Sequence, residues 1–325
     1  MLHCIPCYYI EERNDILKNN IKILSAILCG TLLAGTMPVN VLADAVTGTS
    51  TSSASSKGIA LGADLTDDQK QTVYEELGVD TSALNQYTTV TVTNAEEHQY
   101  LDSYVSSDLI GTKSYSSCLV KLKSGDEGIH VATSHITYCT SEMYENALVT
   151  AGVKNADVIV TAPFDVSGTA ALVGVSKVYS EMTGTPLQAE NVDAAADELT
   201  TTQQVADSTG DTDKTSDLIA AIKADVVNNK NMTDDEIKDK INQYASDLGL
   251  QLTDDDIQAI IDLMHHLAKT SLSADDIKSQ LSSLYSELKN NGIDTGITDA
   301  QANSLIDKIA TWFAGVWEKI RSIFN

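Results

Sequence analysis

The sequence predicts an α+β or α/β fold, a mixed sheet with a βαβ unit and packed helices, followed by an all-helical C-terminal bundle. Three observations predict it. Short β-branched runs alternate with helical patterns between residues 58 and 188, strand signals stop at Ala189, and helix-start signals then recur at near-regular spacing. The 325 residues, 42% apolar and 21% charged, suffice for a sizeable core. A formal charge of −25 repels phosphate backbones and anionic headgroups, which argues against nucleic acid as a partner and is otherwise read as solubility outside the cell.

The chain opens on an export signal. Lys18 and Lys22 flank the start of the apolar stretch Ile21–Ala34, and Pro38 precedes Val41-Leu42-Ala43. A basic n-region, an apolar h-region and a small-residue cleavage site make residues 1–43 a signal peptide, cut after Ala43. The apolar run is too short and too interrupted to stay as an anchor. Glu11, Glu12 and Asp15 put acid where such signals carry base, so translation is expected to begin at Leu17. Residues 44–57, nearly all Ser, Thr, Gly and Ala, form a flexible segment. The mature protein is therefore expected to be secreted or to lie on the extracellular face of the cell envelope.

Residues 58–188 are expected to form the α/β domain. Thr66-Asp67-Asp68-Gln69 is a capping box that starts a helix, with Val73, Tyr74 and Leu77 inward and Gly78 at its end. Thr88–Thr93 is a Thr/Val-rich strand, and Asn94-Ala95-Glu96-Glu97 caps the next helix. Ser116–Leu122 and Ile129–Tyr138 are expected as an antiparallel hairpin around a Gly/Asp turn. A helix from Ser141 to Ala151 closed by Gly152, the short buried strand Val158-Ile159-Val160, and a helix from Gly168 to Met182 closed by Gly184 complete the pattern. Strand, helix, strand and helix from 129 to 182 make the βαβ unit.

Residues 189–325 are expected to form the helical domain. Thr233, Thr253, Ser273 and Thr298 each stand as an N-cap, with acid or amide three residues on and an apolar residue just before. Acids in first turns suit the helix dipole, so much of the negative charge is helix punctuation. The last segment is amphipathic: Leu305, Ile309, Trp312, Phe313, Val316, Ile320 and Phe324 share a face, with Trp317 at its edge and Lys308, Lys319 and Arg321 beside it. Docking on the bundle is its first reading. Peripheral membrane or partner contact through Trp312, Phe313, Trp317, Ile320 and Phe324 is its second.

Several stretches, taken together, resemble one family. They are Ala60-Leu61-Gly62-Ala63-Asp64-Leu65-Thr66, Val92-Thr93-Asn94-Ala95-Glu96-Glu97-His98, Ile136-Thr137-Tyr138-Cys139-Thr140 with Glu142-Met143-Tyr144, and the run Ala162–Leu172. The chain looks like the YpuA-like family of secreted Gram-positive proteins, catalogued as domain of unknown function 1002. The resemblance implies export and a cell-envelope setting in Firmicutes-like bacteria, and it carries over no catalytic residue.

Ligands of open α/β sheets bind where strands end and helices begin. That edge is expected to present Asn94, then Thr140 and Ser141, then Asp165, Ser167, Gly168 and Thr169, a set able to cradle a carboxylate or a sugar. The structural alternative is that Asn94, Thr140 and Ser167 are plain N-caps, each contributing about 1 kcal/mol, and it ranks first because every helix needs a cap. Cys118 and Cys139 would lie about 20 Å apart along a hairpin at about 3.4 Å per residue, beyond the roughly 7 Å that a bridge spans. No disulfide between them is expected. His135 and Cys139, four apart on an extended strand, do not make a thiol–imidazole pair, and His98 is expected on an exposed helix face. His265 and His266 splay about 100° apart on a helix, and Asp207, Asp211 and Asp213 lack the glycine and terminal glutamate of a calcium loop. No metal and no cofactor is expected.

No catalytic motif stands in the chain, and the sequence leans away from an enzyme. The expected function is binding or scaffolding in the cell envelope, with an envelope partner or a small ligand. The alternative is an extracellular hydrolase or transferase with an unrecognised site at the carboxyl ends of the parallel strands.

Overall fold

The computed structural model describes residues 55–125 and 128–279. The leader, most of the Ser/Thr-rich segment and the amphipathic segment with Trp312, Phe313, Trp317, Ile320 and Phe324 lie outside the described residues.

A five-stranded mixed sheet organises the first half. Its strands are β1 (Lys57–Gly62), β2 (Thr88–Val92), β3 (Ser117–Leu122), β4 (Ile129–Thr133) and β5 (Ala156–Thr161), in the spatial order β2-β1-β3-β5-β4. β1 pairs in parallel with β2, and β4 with β5; β3 runs antiparallel to both β1 and β5. Four strands therefore point the same way, and their carboxyl ends share one edge with the start of β3.

Helices cover both faces. Ile59, Leu61 and Leu119 point to the face packed by α1 (Asp67–Glu76), where they join Val73 and Leu77. Ala60, Cys118, Val120, Val158 and Val160 point to the other face, against α4 (Ser141–Ala151) and α5 (Thr169–Thr183). This alternation is the period of two that a strand imposes on its side chains. The packing is close: a Cβ on Gly58 of β1 would run into Met182 Sδ of α5, and one on Gly174 of α5 would stand 3.0 Å from Ala60 Cβ. Between β2 and β3 run α2 (Asn94–Leu101) and the single turn α3 (Ser107–Ile110).

Helices α6 (Ala189–Thr209), α7 (Thr212–Asn228), α8 (Asp234–Leu248) and α9 (Asp254–Lys269) follow. Val192, Ala195 and Leu199 of α6 and Ala224 and Val227 of α7 belong to the same buried cluster as α4 and α5. A second cluster joins α6–α9 through residues such as Leu218, Ile222, Ile241, Ile260 and Met264. The reciprocal boxes form at Thr66/Gln69, Thr233/Glu236 and Thr253/Asp256. Ser273 and Asp276 exchange the same pair of bonds. Among the described residues no helix is long and apolar enough to cross a membrane.

The expected hairpin does not form. β5 inserts between β3 and β4, so Cys118 lies opposite Val160 instead of position 133. A local hairpin would save about 1.5 kcal/mol of loop-closure entropy. Burying Val158, Ile159 and Val160 between two neighbours gains about 1.5–3 kcal/mol for each fully covered side chain. The apolar run wins an interior place beside the central β3. β4, only partly buried, takes the edge and ends at Thr133 instead of 138; His135 follows with φ 57°. β1, which the sequence reading missed, pairs on both sides near the middle of the sheet. Its three-residue apolar core between Gly58 and Gly62 shows no alternation by which to recognise it.

Candidate ligand-binding cleft

At the shared carboxyl edge, the segment leading into β3 and the loop from β5 into α5 frame a cleft of about 270 Å³. The most buried polar side chain of its lining is Glu97. The capping box that starts α2 explains why. Thr93 is the N-cap: its Oγ1 accepts from Glu96 N at 3.2 Å, and Glu96 Oε2 accepts from Thr93 N at 2.8 Å. Glu96 also holds Lys177 of α5 at 2.5 Å, and Lys177 donates to Thr91 O. With Glu96 committed outward, Glu97 stands about 100° further round the helix, facing the start of α5.

There Glu97 is 1% exposed, and Thr169 Oγ1 donates to its Oε2 at 3.1 Å. Its Oε1 has no hydrogen-bond partner, nor does the buried Ser114 Oγ, which faces the same carboxyl out of bonding geometry. Burial pushes Glu97 up to about 7; the hydroxyls of Ser114 and Thr169 and the nearby His98 pull the other way, and Asp64 adds a smaller upward push. Two buried polar atoms at one spot thus lack a well-formed hydrogen bond.

The surroundings are held firmly. His98 Nδ1 faces Asp102 at 2.5 Å and its Nε2 faces Gly111 O at 3.2 Å. Both ring nitrogens meet acceptors, which only the imidazolium satisfies, and these bonds raise its pKa, the Asp102 contact first. Asn94 Nδ2 donates to the same Gly111 carbonyl. On the rim Lys113 Nζ donates to Asp64 Oδ1 and Ser114 N to Asp64 Oδ2, both at 2.9 Å. The Ser114 amide and then Lys113 hold Asp64 below the usual carboxylate range.

The far wall is the start of α5. Gly168 is its N-cap with φ 98°, and no side chain caps it. A Cβ there would stand 2.5 Å from Ile136 Cγ2 and 2.6 Å from Tyr144 Oη, so the backbone reaches this place only as glycine. The buried Tyr144 Oη donates to Gly168 O at 2.5 Å. An uncapped helix start presents N–H groups and partial positive charge. Beside it Phe164, 42% exposed, meets Tyr115 edge to face at 5.0 Å.

Of the residues expected at this edge, Ser167, Gly168 and Thr169 line the cleft. Asn94 supports it from behind and is the first residue inside α2, the cap being Thr93. Ser167 is likewise not a cap; its Oγ lies 3.4 Å from Thr169 Oγ1. Thr140 caps α4 by accepting from Met143 N, and Ser141 faces Thr133. Asp165 turns outward to His135 Nδ1 at 3.0 Å. Glu97, Lys113, Tyr115 and Phe164 were missed. For Glu97 the signal was present: a capping box uses only its third residue, so the second glutamate had to face elsewhere.

Other clusters are structural. Cys118 and Cys139 are free, and burial pushes both thiols up to about 12, which keeps them protonated. His98 proves half-buried. His265 pairs with Asp234, and His266 with Asp193 and Asp197, stacking on Tyr104. Asp211 caps α7. Among the described residues no three His, Cys, Asp or Glu side chains gather as a metal site.

Comparison with known proteins places the chain among relatives. The family model described as a protein of unknown function (DUF1002) matches residues 61–284. The uncharacterized protein YpuA of Bacillus subtilis (strain 168) is 35% identical over 307 residues, which cover 94% of this chain and 99% of that protein. No solved structure matches it.

Proposed function

The chain belongs to the DUF1002 family of proteins of unknown function, and from that premise we propose that it is an exported binding protein of the cell envelope whose cleft holds a small ligand. One observation carries the reading: the buried Glu97, with one carboxyl oxygen unpartnered, lines a cleft that also receives the uncapped start of α5. Protein interiors leave such an atom unpaired only at a cost of about 1–3 kcal/mol, and a ligand that fills the cleft removes it. Binding is favoured over hydrolysis or group transfer because the Ser167 hydroxyl has Thr169 beside it instead of a base, while Asp165 is engaged by His135. Support for export is the leader, residues 1–43.

The test of binding compares the protein with Ser167→Trp, which fills the cleft from a half-buried position. A small-molecule thermal-shift screen should yield compounds that raise the melting temperature of the parent and leave the variant unmoved. No such compound, or equal shifts in both, would overturn the reading. Export is checked by N-terminal sequencing of protein recovered outside the cell, with Asp44 expected first; a retained leader on cytosolic protein would sink it.

A further inference from the structure

We propose that the ligand of this cleft is a carboxylate, whose anionic group sits at the start of α5 and shares a proton with Glu97 Oε1, while an apolar or aromatic body lies along Phe164 and Tyr115. This deepens the reading of the cleft as a ligand site and rests on it. Two features of the cleft favour an anion, a buried hydroxyl beside Glu97 adds a donor, and an aromatic edge suits the body that the anion carries. The helix start carries partial positive charge and, at Gly168, no capping side chain. Lys113 stands on the rim and His98, held by Asp102 and Gly111, behind the carboxyl. Ser114 Oγ, which does not itself line the cleft, is a second buried group without a formed hydrogen bond, able to donate toward Glu97. The exposed Phe164 edge offers an apolar contact beside the polar floor.

The rival chemistry is an amine. It would require Glu97 to remain ionised while buried, and it would set a cation against the positive end of a helix. A carboxylate needs the opposite. Two carboxyl groups at contact distance cannot both stay ionised, so they hold one proton between them. The groups facing Glu97 are His98 from its own helix, Asp64 from the β1–α1 segment and the buried Tyr144 from α4. Lys113 neutralises Asp64. Binding then takes up a proton wherever free Glu97 is ionised. With Glu97 near 7, affinity for a fully ionised acid falls about thirtyfold from roughly pH 6 to roughly pH 8.5.

Benzoate and its neutral isostere benzamide are the probes, read by amide chemical shifts of Thr169 and Ser114 and by calorimetry. Benzoate should bind at low pH at least tenfold more tightly than benzamide, with the stated fall on raising pH. Glu97→Gln keeps a donor at Oε1's place and a partner for Thr169, so it should bind benzoate with little pH dependence. Equal affinity for the two probes overturns the carboxylate and leaves the cleft reading standing. A pH dependence that persists in Glu97→Gln assigns the effect to His98 and overturns the shared proton. Shifts at Thr169 with neither probe, when the thermal-shift screen also finds nothing, sink both the inference and the reading beneath it.

Discussion

Replacing Lys223 by methionine should be among the most damaging single changes in the helical layer. Lys223 of α7 and Glu198 of α6 form an ion pair at 2.7 Å with side chains 3% and 1% exposed. The pair is fully clothed. Lys223 Nζ also donates to Asn146 O at 3.0 Å and reaches Thr150 Oγ1 at 3.3 Å, and Thr150 Oγ1 donates to Glu198 Oε2 at 2.5 Å. Methionine fills most of the lysine volume, so little cavity forms. What remains is a carboxylate stripped of its cation where water does not reach. Breaking a buried pair from one side costs about 3–5 kcal/mol, against about 0–1 kcal/mol for an exposed pair. In a body of this size the melting temperature should fall by roughly 6–15 °C. The companion Glu198→Leu should cost a comparable amount, whereas the double replacement should return close to the parent, since a well-packed apolar pair avoids the desolvation that the ions suffer. Urea denaturation of the four proteins gives the cycle directly. A loss below about 1 kcal/mol for Lys223→Met, or a double variant as weak as the sum of the singles, would refute the claim that an uncompensated charge dominates.

Two further predictions concern the cleft. Glu97 has its folded pKa raised from an ordinary 4.5 to about 7, so between those values the native state binds more protons than the unfolded chain. Stability should therefore fall as pH rises through that window, by up to about 3 kcal/mol, and the loss should persist above it; Glu97→Gln should erase the slope, and parallel urea curves for the two proteins at pH 5 and 8 would contradict it. Gly168→Ala should destabilise by about 2–4 kcal/mol, combining a left-handed backbone with contact on Ile136 and Tyr144. Gly184→Ala, left-handed in open space, should cost only about 1–2 kcal/mol; equal melting shifts for the two would remove the close approach from the explanation.

Local chemistry was legible wherever neighbours in sequence decide the outcome. The boxes at Thr66, Thr233 and Thr253, and the glycines that close α4 and α5, need only contacts within a few residues. The parallel pairing of β4 with β5 was legible too, because a helix of that length between two strands leaves little else. Caps failed where two hydroxyl or amide residues competed, as at Thr93 against Asn94, since the winner depends on which of them the box glutamate can reach.

Sequence by itself determined the class of fold, most of the places where helices start and stop, and the edge of the sheet at which the cleft opens. These follow from periodicity and capping, which act over one or two turns. Tertiary structure alone decided that β5 separates β3 from β4, that β1 lies inside the sheet, and that Glu97 meets Thr169 and Ser114. Pairing order is set by which strand must bury two faces, a comparison among segments far apart in the chain. The raised pKa of Glu97 is likewise a property of what other elements exclude from its surroundings, and water exclusion has no signature in a single stretch of residues.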